Sequence, residues 1–381
     1  MELVIVLGSV FMWFVGVGIW FLNVIYFFIK LVTKQKKKIF FLSRQSNNPS
    51  IDFRMLIKEI EDNYSDYKIV VITKRVEKRL WAVLSKNIFL IFRQMYHLAT
   101  CKVCVIDGYN ISVSVLQHRD SMKVIQIWHS LAAIKKFGYQ SLNSNRKKKL
   151  AKVMKMHKNY DYIISGSDAM TKYFAKAFNY EESKFYSIGL PRIDYLLERI
   201  KINRNKIYKR YPEFRNKKII LYAPTFRDNN NYQFEELIKA VDINKYILVI
   251  KKHPNILLKV SRKKNVYLAE EFTTLQLLSV ADFVITDYSA VAIEAAVLDK
   301  PIYLYVYDYL EYSKSPGVNV DLYKELPGYV FEDANKLFKV LSKKKYDLEV
   351  LKKFKKKYVC NVNGDVTKRL ARFIIEGSEV E

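Results

Sequence analysis

The sequence predicts an α/β protein: two similar halves, each a parallel sheet covered by helices, behind an N-terminal membrane helix. Three observations predict it. Short apolar, β-branched runs alternate with helical spacing along the 381 residues, the pattern of strands buried on both faces. The alternation pauses in a charged stretch over 198–218 and then restarts, dividing the chain in two. Residues 3–29 carry no charge; at 1.5 Å per residue they span about 40 Å, more than the hydrocarbon core of a bilayer.

Residues 1–32 are therefore assigned to an anchor. Gly8, Gly16, Gly18 and Asn23 interrupt it, which membrane helices tolerate. Glu2 and the lack of an A-x-A-like site argue against a cleavable signal. Lys30, Lys34, Lys36, Lys37 and Lys38 follow, so the positive-inside rule places the bulk of the chain on the cytoplasmic side of the cell membrane. A buried core helix and a helix lying in the membrane plane are the other readings.

The first half, 33–205, reads as strands at 38–43, 68–73, 102–106, 123–128, 161–167 and 184–188. Helices fall at 52–63, through 98, at 145–160 and at 169–178. The helix over 145–160 carries Arg146, Lys147, Lys148, Lys149, Lys152, Lys155 and Lys158 and suits anionic lipid headgroups, or simply solvent. The second half, 206–381, has strands at 218–222, 246–250, 283–286 and 302–306, a helix from 234, and helices from 334 to the end.

With 65 Lys+Arg against 38 Asp+Glu, the net charge of +27 implies an anionic partner: nucleic acid, an acidic membrane face or a phosphorylated substrate. No interleaving of aromatic and basic residues of the RNA-binding kind is visible, and an anchored protein has little use for nucleic acid. Three cysteines build no disulfide framework and fit a reducing compartment. Cys101-Lys102-Val103-Cys104 stands without a second ligand pair and reads as two buried thiols.

The polar residues cluster after strands, where open α/β sheets bind ligands. The chain centres on 283–294, a buried strand running into a helix, with Asp287 and Ser289 as capping residues and Glu294 one turn on. Such a junction is an anion site or an ordinary capped turn. His129, after Trp128, is a general-base candidate or a packed histidine. Lys135 and Lys136 follow it, and Arg192 and Arg227 follow proline-containing turns and suit bidentate phosphate contact. Lys251, Lys252 and His253 sit at a strand end, where cations stabilise a leaving diphosphate. No Asp-x-Asp, zinc spacing, Walker loop or G-x-G-x-x-G is present, so neither metal nor organic cofactor is expected.

Five ordered motifs resemble the CDP-glycerol glycerophosphotransferases, the teichoic-acid primases and polymerases of Gram-positive bacteria. They are Trp128-His129-Ser130 with Lys135, Lys136 and Gly138, Gly189-Leu190-Pro191-Arg192, Ala223-Pro224-Thr225-Phe226-Arg227, Lys251-Lys252-His253-Pro254 and Asp287-Tyr288-Ser289. The resemblance implies a GT-B-like fold, two Rossmann-like domains facing a cleft. It implies transfer of glycerol phosphate from CDP-glycerol to a hydroxyl of an undecaprenyl-diphosphate-linked saccharide, with release of CMP. By the same resemblance His129 activates the hydroxyl and His253, with Lys251, stabilises the donor diphosphate. Arg192, Pro224, Thr225, Ser289, Ala290 and Glu294 line the donor pocket, with Ser130, Leu131, Ala132 and Ala133 opposite. Leu131 stands where a small turn residue is usual and Ala290 where a second serine is usual, which leaves the donor open between glycerol and ribitol phosphate. The length is more like a primase than a polymerase. A sugar-nucleotide glycosyltransferase and a non-catalytic membrane scaffold are the rivals.

Overall fold

The computed structural model of the protein describes residues 2–75, 88–227, 232–252, 263–343 and 345–377, with side chains from residue 12 onward except at residue 88. His253 lies outside the described residues. Both expected sheets are present. The first is ordered β2-β1-β3-β4-β5-β6, with β1 Lys38–Ser43, β2 Lys68–Thr73, β3 Val103–Ile106, β4 Lys123–Gln126, β5 Tyr162–Ile164 and β6 Phe185–Tyr186. The second is ordered β12-β11-β10-β7-β8-β9, with β7 Lys218–Tyr222, β8 Tyr246–Ile250, β9 Val266–Tyr267, β10 Phe283–Thr286, β11 Ile302–Tyr305 and β12 Val330–Phe331. Every pairing is parallel. The fully buried strands β1, β3 and β11 explain the unbroken apolar runs, because helices cover both faces. Cys101 and Cys104 are buried beside them, and burial pushes the Cys101 thiol up to about 12.

In each sheet the winding direction reverses once, between β1 and β3 and between β7 and β10. A crevice opens beyond the carboxyl ends of the strands there. The connection between halves is more ordered than its charge suggests: Arg192–Arg210 is one helix. The final helix, Val366–Glu376, grouped with the second half by sequence, returns to the first domain. Phe373 packs on Tyr162 at 5.3 Å and Tyr186 at 4.8 Å, and Asp194 accepts hydrogen bonds from Val366 and Thr367.

The N-terminal helix Glu2–Val32 is the one helix among the described residues long and apolar enough to cross a membrane. Its second half rests on the first domain. Ile19, Leu22, Ile25 and Ile29 pack against the core, Tyr26 is buried, and the Asn23 amide donates to Val115 O at 3.0 Å. Trp13, Phe14, Trp20, Phe21, Phe27 and Phe28 face outward. The basic helix is shorter than its spacing predicts, Asn145–Val153. Beyond it Lys155, His157 and Asn159 take left-handed backbone conformations. Asn159 there donates to Val113 O and Leu116 O, and His157 enters an aromatic cluster with Phe178 at 4.7 Å.

Burial holds His157 down to about 3 and His118 to about 4. Both are neutral when folded and take up a proton near pH 6.5 when unfolded, so their stabilising contribution is complete above pH 6.5 and lost as pH falls from there. Asp107, raised by burial to about 6, acts in the opposite sense, but the two histidines outweigh it, and His97 and His129, lowered likewise, add to them. Moving from pH 7.5 to pH 5 is expected to remove about 2 kcal/mol of folding stability. Denaturant unfolding at the two pH values checks this, and an equal or higher midpoint at pH 5 contradicts it.

Candidate active site

His129 is delivered to the crevice by strain next to it. Trp128 takes φ of 55°, an outlier for a bulky side chain and of the kind that gathers at functional sites. Packing holds it there: its ring stacks on Phe137 at 4.8 Å and meets Phe178 edge-on at 5.0 Å, and its amide donates to Gln126 Oε1 at 2.8 Å. The chain then turns His129 out of the sheet, where the ring is exposed to the cleft. Its Nδ1 lies 3.0 Å from the backbone carbonyl of Asp107. A carbonyl only accepts, so Nδ1 carries the proton and Nε2 keeps a free lone pair. Gln45 Nε2 lies 3.3 Å from Nδ1, a packing contact rather than a hydrogen bond with Nδ1 protonated, over Gly108, where a Cβ would lie 2.6 Å from Gln45 Nε2. The surrounding protein holds the imidazole well below its ordinary pKa, with Arg192 and Lys135 adding to the effect. Access to the cleft means that crowding rather than full removal from water is responsible. His129 is a neutral imidazole at neutral pH.

Arg192 joins the two domains. Its Nη2 and Nε bond Asp52 Oδ2 at 2.5 and 3.0 Å, and its backbone N–H donates to Asp52 Oδ1 at 2.8 Å. Its Nη1 reaches Glu294 of the second domain at 2.9 Å. Asp52 and Glu294 are 1% and 5% exposed. Burial raises the Glu294 pKa and Arg192 partly offsets it. Arg192 also acts electrostatically on His129, so one guanidinium links the His129 segment with Glu294 of the helix Val291–Val297.

Across the reversal point of the second sheet, Asp287 does not cap the following helix. It accepts from Thr225 N at 2.9 Å, Thr225 Oγ1 at 2.6 Å and Arg227 Nη1 at 2.8 Å. Arg227, 4% exposed, also grips Asp308 at 2.6 and 3.0 Å. These residues build the loop that carries Pro224, and the Arg227 guanidinium is committed to the two carboxylates. Ser289 performs the local turn, its Oγ accepting from Val291 N at 3.3 Å. Pro224, Lys251, Lys252, Ser289, Thr273 and Thr274 line a cavity of about 380 Å³, the size class of small-ligand sites. Lys251 Nζ donates to Glu270 O at 3.0 Å, and half-burial lowers its pKa.

In the 130–135 segment, Ser130 Oγ donates to Ala132 O at 2.8 Å. Leu131 and Ala133 are 1% exposed, and Leu131 O lies 2.1 Å from where a Gly166 Cβ would be. The Leu131 side chain is thus in the core and does not narrow the cleft. Ala132 is buried, Lys135 is exposed, and Ala290 is half-buried beside Ser289. Sequence reasoning missed Gln45, Asp107 and Asp52. Asp52 reads from sequence only as a first-turn helix carboxylate.

Two parallel-sheet domains, with a neutral histidine on one side and a lysine-lined cavity on the other, define a GT-B-like architecture. Solved structures share it. The wall teichoic acid polymerase TagF superposes with a TM-score of 0.68 at 21% identity, covering 89% of this chain and 88% of that one. UDP-GlcNAc 2-epimerase from Methanocaldococcus jannaschii superposes at 0.55 with 15% identity, covering 91% and 100%. The family model for CDP-glycerol:poly(glycerophosphate) glycerophosphotransferase matches residues 24–376, and the chain belongs to that family. Among curated relatives, the teichoic acid ribitol-phosphate primase of Bacillus spizizenii is 29% identical over 360 residues, covering 90% of this chain and 92% of the relative. The glycerol-phosphate primase of Bacillus subtilis is 29% identical over 377 residues, covering 93% and 96%. The poly(ribitol-phosphate) polymerase of B. spizizenii is 25% identical, with 92% and 58% covered.

Proposed function

We propose that the protein transfers glycerol phosphate from CDP-glycerol to a hydroxyl of a lipid-linked saccharide at the membrane, in the priming step of wall teichoic acid synthesis. The observation that carries this is His129, with Nδ1–H engaged by the Asp107 carbonyl and Nε2, unbonded among the described residues, keeping its lone pair. In the reaction Nε2 takes the proton of the acceptor hydroxyl as its oxygen attacks the phosphorus that bears glycerol. The bond from that phosphorus to the bridging oxygen breaks and CMP leaves with the electron pair. Lys251 and Lys252 offset the charge that develops on the leaving group, and the residues at Pro224 and Ser289 hold the donor. The outward aromatic face of the N-terminal helix supports membrane association. Both primases are matched along nearly their whole length, which supports priming.

A second reading, ribitol phosphate as the transferred group, is favoured by the equal identity to the ribitol-phosphate primase. Incubation of the protein in membranes with a lipid-diphosphate disaccharide and, in turn, labelled CDP-glycerol, CDP-ribitol and UDP-sugars separates the readings. Labelled lipid bearing one unit is expected from CDP-glycerol alone. Transfer from CDP-ribitol alone moves the assignment to the second reading, a long ladder makes the protein a polymerase, and transfer only from a UDP-sugar overturns both.

A further inference from the structure

The two domains are also fastened at a place the donor cavity does not touch. Lys135 and Val318 form an isolated antiparallel bridge, Lys136 N donates to Gly317 O at 2.8 Å, and Asn319 N donates to Ile134 O at 2.7 Å. The Asn319 amide donates to Ala133 O at 2.8 Å. Beside this strap a second cavity, of about 680 Å³, lies between the 135–147 segment of the first domain and 308–316 of the second. Lys135, Lys136, Lys147 and Lys314 line it, with Phe226 and Tyr312 as aromatic surface. Its carboxylates are Asp308, which shares the Arg227 guanidinium with Asp287, and Glu311, against five Lys and Arg side chains on the wall. The cavity therefore carries an excess of positive charge, yet of the donor-site residues only Lys135 and Arg227 line it.

Its position is informative at both ends. Lys135, on the cavity wall, is close enough to His129 to act electrostatically on the ring. Lys147 belongs to the helix Asn145–Val153, which packs against the N-terminal helix with its outward Trp20, Phe21, Phe27 and Phe28. The cavity thus has on one wall a lysine from the helix that packs on the N-terminal helix, and on another the lysine that acts on His129. Lysines suit phosphate as point charges, and charge-assisted contacts of this kind are the strong ones.

We infer that this lysine-lined cavity binds the diphosphate of a prenyl-type lipid acceptor, a second anion site separate from the one that holds the donor. The inference rests on the transfer reaction proposed above for the identity of its ligand. The lipid chain leaves along the face of the N-terminal helix, and the saccharide hydroxyl reaches toward His129.

The test measures binding, not turnover, so it stands apart from the donor assignment. Full-length protein in detergent is titrated with tritiated farnesyl diphosphate, inorganic diphosphate and CDP-glycerol, comparing wild type with Lys147→Glu/Lys314→Glu. Reversing two charge-assisted contacts is expected to weaken farnesyl diphosphate binding about tenfold or more, with CDP-glycerol binding unchanged. Lys148→Glu/Lys149→Glu, on the same helix but off the cavity wall, is expected to bind like wild type. Unchanged farnesyl diphosphate binding in the first variant overturns the inference, as does an equal loss in the second. Wild-type protein that binds inorganic diphosphate as tightly as farnesyl diphosphate also overturns it, because the site then reads a free anion rather than a lipid headgroup. Failure of CDP-glycerol to bind any form would sink the donor assignment and leave this site standing.

Discussion

Replacing His129 with alanine is expected to lower kcat by about 10²- to 10⁴-fold, the usual contribution of a positioned general base, with little change in CDP-glycerol binding. The geometry makes the loss specific to the chemical step. The ring touches Asp107 O and Gln45 and is not among the residues lining the Pro224 cavity. The pH profile gives a second readout. Protein crowding and the nearby Arg192 and Lys135 disfavour the imidazolium, so the acid limb of kcat/KM is expected below pH 6.5, the ordinary histidine value. Removing the base removes that limb. A His129→Ala variant that keeps wild-type kcat, or a wild-type limb well above pH 6.5, contradicts the assignment. Turnover by equilibrium binding, initial rates and a pH series decides it.

The largest effect on stability is expected at Arg192. Its guanidinium is the counter-charge for two carboxylates from different domains, Asp52 and Glu294. Arg192→Met strands both in a buried setting, and breaking a buried pair from one side costs about 3–5 kcal/mol. The triple variant Arg192→Met/Asp52→Asn/Glu294→Gln removes the uncompensated charges and is expected to recover most of that loss. Denaturant unfolding of the three proteins checks the claim. A single variant as stable as wild type, or a triple variant no better than the single one, would show that the charges are solvated and the link between domains lies elsewhere.

Much of this fold is legible in the sequence, for a physical reason. Strands buried on both faces need continuous apolar residues, so runs such as 38–43 and 246–250 announce themselves and nearly fix their own ends. Two short edge strands, Val266–Tyr267 and Val330–Phe331, each only two residues long, give no such run. His129 is legible because its position after an apolar run leaves a histidine beyond a strand end. What the sequence hides is pairing across distance. Residues 52, 192 and 294 carry no mutual spacing, and Asp52 reads as an ordinary first-turn helix acid. The bridge between Lys135 and Val318 has no local signature either, since it depends on how two domains meet. Asn159 is similar: only the fold shows that its amide satisfies carbonyls at 113–116 and so ends the basic helix early.

The most direct test of the central claim follows the phosphorus. CDP-glycerol labelled with ³²P at the phosphorus bearing glycerol is supplied to membranes containing the protein and a lipid-diphosphate disaccharide. Label is expected in the lipid fraction, matched one for one by released CMP, with both falling about 10²- to 10⁴-fold in His129→Ala. Label that stays soluble as CDP while glycerol alone reaches the lipid would mean that the bond to the sugar-like carbon breaks, and the phosphotransferase reading would be wrong.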